Sequence, residues 1–535
     1  MRQQPNPVGT LEVRDVIDGQ QRLTTLQLLV DAVEEAIRED EGPAIESKKL
    51  RKIVLNDPDL FFEDDRFKVW PTNEDQPVFP SVMTDQDRVP AEMLDNRIAR
   101  AHAYFKSAAR GWAQDADTPS STAERYKALV KAISHGLHLV VIDLSESDNA
   151  QAIFETLNAR GTPLLASDLV KNHILNDASQ RGLDVHALHA AHWKPFEEVW
   201  WRDEITLGRL SWPRVDAFLF YWLGMNLTRE VNTQRLFDEY RDLLRTRDLT
   251  VEQVAADLSS YAKVFQSLDE EESEDAALTQ FFYRWKTTQL RVMTPLLLWL
   301  FSEMPELDGA SRLEALELLE SWFMRRMICG WRTHGYQNFL HRLLREVKKY
   351  RGVLVVVAIR DILSGATAGN TEWPRDDAVR DAVLKRPIYQ YISRARLRLI
   401  LEAVEDRLCT LDGMSESLCP KNLTIEHVLP VSWSDDDWPF TGSIQSREER
   451  HALLHTLGNL TLVNKKLNPS LSNSPWDVKR VGLASHSTLH LNKVLANPGI
   501  VFSDQSWYEE WNEDSIQERG EWLAEHLCMI WPRAE

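Results

Sequence analysis

From residue 185 to about 360 the apolar residues recur every three to four positions, as in LEALELLESWFMRRMI (313–328), and Trp and Leu dominate them. That period puts an apolar stripe on each of a series of helices, and stripes of this kind must be buried against one another. The chain is therefore expected to be mostly helical. Its 535 residues exceed one ordinary core, which implies several domains. The longest apolar runs, PLLLWLF (295–301) and VLVVVAI (353–359), are too short to cross a bilayer. The N-terminus, MRQQPNPVGT, has no hydrophobic signal segment, so a cytoplasmic protein without membrane partners is expected.

The four cysteines, Cys329, Cys409, Cys419 and Cys528, form no C-x-x-C pair. This argues against a disulfide framework and against a structural zinc site. A net charge of −20 argues against a protein that coats nucleic acid non-specifically, but an enzyme needs only a local basic surface. Residues 421–480 hold seven Lys/Arg and seven Asp/Glu, a neutral segment in an acidic chain.

Along the chain, LEVRDVI (11–17) reads as a strand, DGQQR (18–22) as a turn and LTTLQLLVDAVEEAI (23–37) as a helix. LHLVVIDL (137–144) is a candidate buried strand. QAIFETLNARGTPLLASDLVKNHIL (151–175) reads as helix, turn and helix, with Ser167 as N-cap of the second helix. LSGATAGNTEWPRDD (363–377) has a linker's composition and marks the main boundary. Beyond it come a helix at RARLRLILEAVEDRL (394–408), a strand at TIEHVLP (424–430), a second strand at GNLTLV (458–463), an Asn-rich stretch and a closing helix.

TIEHVLP sets a carboxylate, Glu426, beside an imidazole, His427. Hydrolysis of a phosphodiester needs a base to activate water and a cation to neutralise charge at the phosphate. Two strands and a helix can supply both: a His with an adjacent carboxylate on the first strand, a bracing Asn on the second, and a further oxygen ligand beyond it. Asn459 follows His427 by 32 residues, and Asn468, Asn473 and Lys479 come next. Taken singly, a Glu-His pair at a strand end is more commonly a hydrogen-bonded surface pair. His451 and His455 have metal-pair spacing on a helix but lack the H-E-x-x-H Glu, and read as solvated helix histidines.

IEHVLP, LGNLTLVNKKLNPSLSN, the following Lys479 and the closing pattern of Trp511, Ile516, Arg519, Leu523 and Trp531 resemble the His-Me-finger (HNH-type) nuclease domain of GmrSD-type modification-dependent restriction enzymes. The resemblance implies His427 as general base, Asn459 as the bracing Asn, and Mg²⁺ or Mn²⁺ held by Glu426 with Asn468 or, in competition, Asn473.

In the N-terminal half, a strand running through Asp18 and Gly19 into a helix that begins Gln20-Gln21-Arg22 makes a ready anion site. No G-x-x-x-x-G-K-[ST] is present. The stretch is similar to the ParB-like domain of the same family, its nucleotide-using or sensing half. Asn158, Asp168, Lys171 and Asn172 match that domain's second motif; the last three fall at i, i+3 and i+4 on one helix face. Arg325 and Arg326 resemble a third, helical signature. The family also carries an aromatic QR-x-Y-x-W stretch before DGQQR; with residues 1–17 alone ahead of Asp18, a shortened N-terminus is expected.

The resulting expectation is an α+β, predominantly helical protein. It has a truncated ParB-like domain at 1–180, a helical extension at 181–362 and a ββα-metal (His-Me-finger) nuclease domain at 378–535. Its activity is metal-dependent hydrolysis of modified phage DNA, regulated by a nucleoside triphosphate, in a chain that can form a homo-oligomer. The rivals are a non-catalytic nucleotide- or DNA-sensing module and an RNA-cleaving toxin.

Overall fold

The computed structural model describes residues 2–3, 13–16, 19–57, 66–71, 75–84, 89–90, 93–115, 120–143, 165–207, 210–269, 275–302, 306–413, 419–444, 446–465, 473–496, 507 and 509–534. The chain divides into two compact units, Met1–Leu164 and Leu165–Glu535. Both are predominantly helical, and each two-stranded sheet is short. No helix among the described residues is long and apolar enough to cross a membrane.

The first unit is organised by helix Gln20–Glu39, which packs on helices Ala44–Val54 and Arg97–Ala113. Leu28, Val33 and Ile37 fill the seam, but so do Asp31, Glu34 and Glu35. Buried carboxylates need partners to offset desolvation. His102 Nε2 lies 3.1 Å from Asp31, and Lys106 reaches Glu35 at 3.2 Å and Glu39 at 2.6 Å.

Of the strand expected over 11–17, Arg14–Asp15 forms β2, antiparallel to β1 (Arg2–Gln3); residues 11, 12 and 17 lie outside the described residues. The buried strand expected at 137–144 is not found over its described residues, 137–143. Residues 137–143 are irregular, Val140 is 92% exposed, and no strand among the described residues pairs with them. Apolar composition alone supplies no ladder partner, and a strand without one has nothing to bury against.

In the second unit, helix Ala166–Gln180 begins one residue ahead of the expected cap. Ser167 is not the N-cap. The Asp216 carboxylate, on helix Arg214–Leu227, accepts the N–H groups of Ala166 (3.2 Å) and Ser167 (3.0 Å). A tertiary contact has taken the place of the local cap. The hairpin β3–β4 (Glu204–Leu207, Leu210–Pro213) precedes Arg214–Leu227.

The segment with a linker's composition is pinned. Trp373 is buried, Arg325 Nη1 donates to Pro374 O (3.0 Å) and Asp376 Oδ1 (2.7 Å), and Arg326 Nη1 donates to Glu372 O (2.5 Å). Both guanidiniums are buried in the second unit's core, on helix Gly309–Cys329. Arg325 also holds the Trp531 carbonyl, and Arg326 meets Tyr336 Oη at 2.8 Å.

Strands β5 (Thr424–His427) and β6 (Leu460–Val463) pair antiparallel, with Glu426 opposite Thr461 and His427 opposite Leu460. The closing helix Glu513–Ile530 packs on the turn before β6. There a Cβ on Gly458 would stand 2.1 Å from Ile516 O, so the Gly of LGNL is demanded by the approach of that helix. Arg519 Nη1 donates to Gly458 O (2.6 Å) and Leu460 O (2.8 Å); its burial pushes the guanidinium down to about 9. Trp511, Ile516, Leu523 and Trp531 are also buried.

Candidate active site

The register of β5 with β6 runs unbroken through His427, so adjacent side chains take opposite faces. Glu426 faces helix Trp476–His486 and His427 faces the turn before β6. Lys479, on that helix, is 1% exposed; its Nζ donates to Glu426 Oε1 (2.9 Å) and to the His427 carbonyl (2.7 Å). Burial lowers the lysine's pKa and raises the carboxylate's, each opposed by the pairing between them.

On the other face His427 Nε2 lies 3.3 Å from His455 Nδ1. Tyr389 presents its ring edge-on to His427, centroids 4.3 Å apart, and stacks on His455 at 5.7 Å and 12°. The Tyr389 N–H donates to His455 O (3.1 Å), and the Arg394 guanidinium lies 3.3 Å over the tyrosine ring. Burial, then His455, Lys479 and Arg394, pushes the His427 imidazole down to about 3. A neutral imidazole therefore stands near the Arg394 guanidinium, while Lys479 lies on the opposite face of the strand against the His427 carbonyl. A neutral imidazole so held can accept a proton.

Asn459 is fully buried and braces the loop after β5 from both sides. Its Nδ2 donates to Leu429 O (2.8 Å) and Leu454 O (3.0 Å), and its Oδ1 accepts the Leu429 N–H (2.8 Å) and Trp511 Nε1 (3.3 Å). Farther along, buried Arg450 pairs with Glu513 and holds the Trp438 (2.7 Å) and Pro439 (3.1 Å) carbonyls, which fixes the acidic SDDDWP loop.

Asn473 is exposed, and Asn468 lies outside the described residues. Beside His427, the Glu426 carboxylate has one oxygen held by Lys479, and its other oxygen is a ligand of the kind that Mg²⁺, which keeps several waters, can use.

His455 is not the solvated helix histidine expected. The helix Arg447–Leu454 ends one residue earlier, and His455 is its C-cap, turned toward β5. His451 is exposed and lies against Trp433, ring centroids 4.7 Å apart. The spacing argument against zinc also misses ligands gathered from separate elements. Glu405, Cys409 and His490 bring potential ligand atoms within 4.8 Å of one another. There His490 also bridges Glu405 (3.2 Å) and Asp412 (3.0 Å), and Glu405 accepts the backbone N–H groups of His490 and Leu491 (both 2.8 Å).

Of the N-terminal candidates, Asp18 and Asn158 lie outside the described residues. Gly19, at φ +93°, precedes helix Gln20–Glu39, a backbone conformation that favours glycine. Gln20, Gln21 and Arg22 are exposed, with the Arg22 guanidinium folded over Gly19. Asp168, Lys171 and Asn172 belong to the second unit; Asp168 and Asn172 are exposed, and Lys171 pairs with Glu197, which also meets His189 Nε2 at 3.0 Å.

No curated protein matches the chain. Two family models do: GmrSD restriction endonuclease, N-terminal domain, over residues 4–175, and GmrSD restriction endonucleases, C-terminal domain, over residues 373–526. The second span holds β5, β6, His427, Asn459 and Lys479, and together the matches cover most of the sequence: the chain belongs to the GmrSD family of restriction endonucleases.

Proposed function

We propose that this chain restricts modified foreign DNA by hydrolysing its phosphodiester bonds at a ββα-metal (His-Me-finger) site built on β5, β6 and the helix that carries Lys479. The observation that carries the reading is a buried, neutral His427 whose Nε2 is occupied by His455, one residue from a carboxylate that keeps an oxygen for a cation. With Nε2 directed at His455, Nδ1 is the nitrogen left to take a proton from water. Glu426 with Asn468 or Asn473 would hold Mg²⁺ or Mn²⁺. When bound, such an ion neutralises charge on the phosphate and the 3′ leaving oxygen. Lys479 opposes the rise that burial gives the Glu426 pKa and fixes the His427 carbonyl, and Asn459 holds the loop that follows.

The N-terminal span is proposed as a ParB-like domain in which Asp18, Gly19, Gln20, Gln21 and Arg22 meet a nucleoside triphosphate, with Asn158, Asp168, Lys171 and Asn172 as further contacts. Under this reading the nucleotide regulates cleavage, and the enzyme acts in the cytoplasm. The test is cleavage of modified and unmodified plasmid with Mg²⁺, with and without nucleotide, by the wild type and His427→Ala. Cleavage by the wild type alone is expected; equal cutting by both proteins removes His427 from the chemistry.

A further inference from the structure

Helix Arg394–Leu411 carries Arg394 toward the candidate active site and, two residues on, Arg396 into the wall of a separate cavity of about 750 Å³. That size is ample for a small-molecule ligand. The cavity lies within the second unit, between the β3–β4 hairpin, helix Arg214–Leu227 and helix Tyr336–Val347. Its described lining includes Lys286, Arg291 and Arg396 and no carboxylate.

Arg396 is the anomaly. It is half-buried, Nη2 donates to the Thr288 carbonyl at 2.5 Å, and burial lowers its pKa with no neighbouring charge to offset the loss. A guanidinium has five N–H donors, so one carbonyl leaves most of its hydrogen-bonding capacity unused. Burying a cation without a counter-ion is costly, and an anion in the cavity would offset that cost. Arg291 differs, since Asp269 already pairs with it at 2.9 Å. Trp212 and Phe220, edge to face at 5.9 Å, are only partly buried and form an aromatic wall; Gln289 and Gln337 add amide donors and acceptors.

We propose that this cavity binds a free mononucleotide: its phosphate on Arg396, its base against Trp212 and Phe220 and within reach of the two amides. A stacked base with a charge-assisted phosphate contact uses each element of the lining. The site is distinct from the nucleotide contacts proposed around Gly19–Arg22 and does not depend on the nuclease reading.

Calorimetric titration of the full chain with a nucleoside monophosphate, the matching nucleoside and inorganic phosphate tests it. Saturable binding of the monophosphate is expected, with each fragment at least tenfold weaker. Arg396→Gln and, as a second variant should the first fail to fold, Trp212→Leu are each expected to weaken binding at least tenfold. Absence of binding at millimolar nucleotide, undiminished binding in the folded variants, or phosphate binding as tightly as the nucleotide would each overturn the proposal. So would a single-stranded oligodeoxynucleotide that binds where the mononucleotide does not.

Discussion

Nε2 of His427 and Nδ1 of His455 stand 3.3 Å apart, close enough for one proton to lie between the two imidazoles. Because burial and the neighbouring cations hold His427 down to about 3, its base form persists across the ordinary pH range. Wild-type cleavage should therefore show no acid limb from this residue between pH 5 and 8. In His455→Ala the imidazole loses both its orienting partner and a charge-repelling neighbour. Its pKa should rise only in part, since burial is the larger cause and remains, so any acid limb should move to higher pH, with the rate at pH 7 down by roughly 10²-fold. His455→Asn, whose amide oxygen can accept the same proton, should recover much of the loss. An unchanged pH–rate profile in the alanine variant would sink the pairing.

The same depressed imidazole sets a stability trend. Where the folded pKa lies below the unfolded one, the unfolded chain binds the extra proton, so stability is full above about pH 6.5 and falls as the pH drops toward 3. His427→Gln removes that term. Its thermal midpoint should fall less steeply than the wild type's between pH 6.5 and 4, as read by calorimetry.

Glu426→Gln keeps the shape of the side chain and removes its charge. The magnesium concentration for half-maximal cleavage should rise by about tenfold or more, in the range seen when a metal-site group is altered. Lys479→Met should instead leave a half-buried carboxylate without its cation and lower the unfolding midpoint. A wild-type magnesium dependence in the Glu426 variant would remove that residue from the metal site.

Gly458→Ala places a Cβ 2.1 Å from Ile516 O, which only backbone movement can relieve, and should destabilise the second unit by roughly 3 kcal/mol or more. Asn459→Ala strands the buried Leu429 N–H and carbonyl and should cost about 2–4 kcal/mol. Denaturant titration reads both. A loss below 1 kcal/mol in either would mean that the turn before β6 rearranges freely.

Much of the C-terminal half was legible because its signals are local. A Glu-His pair at a strand end, a Gly-Asn before the second strand and a lysine beyond mark β5, β6 and the helix that bears Lys479. His455 was misread because its spacing from His451 suggests one helix face, whereas the helix stops at Leu454 and the next residue turns away. Its place four residues before Asn459, in the turn leading to β6, is the cue that could have found it. Tyr389 precedes His427 by 38 residues with no motif around it, and only the folded chain brings them together. The cap of helix Ala166–Gln180 was illegible for the same reason, since its carboxylate comes from 50 residues away at Asp216.

That distant cap bears on how the chain can be divided. The N-terminal family match runs to residue 175, yet Val170, Ile174 and Ala178 are buried in the core of the second unit, beneath a helix start held by Asp216. A fragment cut where the sequence match ends would carry off most of a helix whose apolar face has been left without a core, and it should aggregate. One ending at Leu164 leaves that helix with the body it packs on.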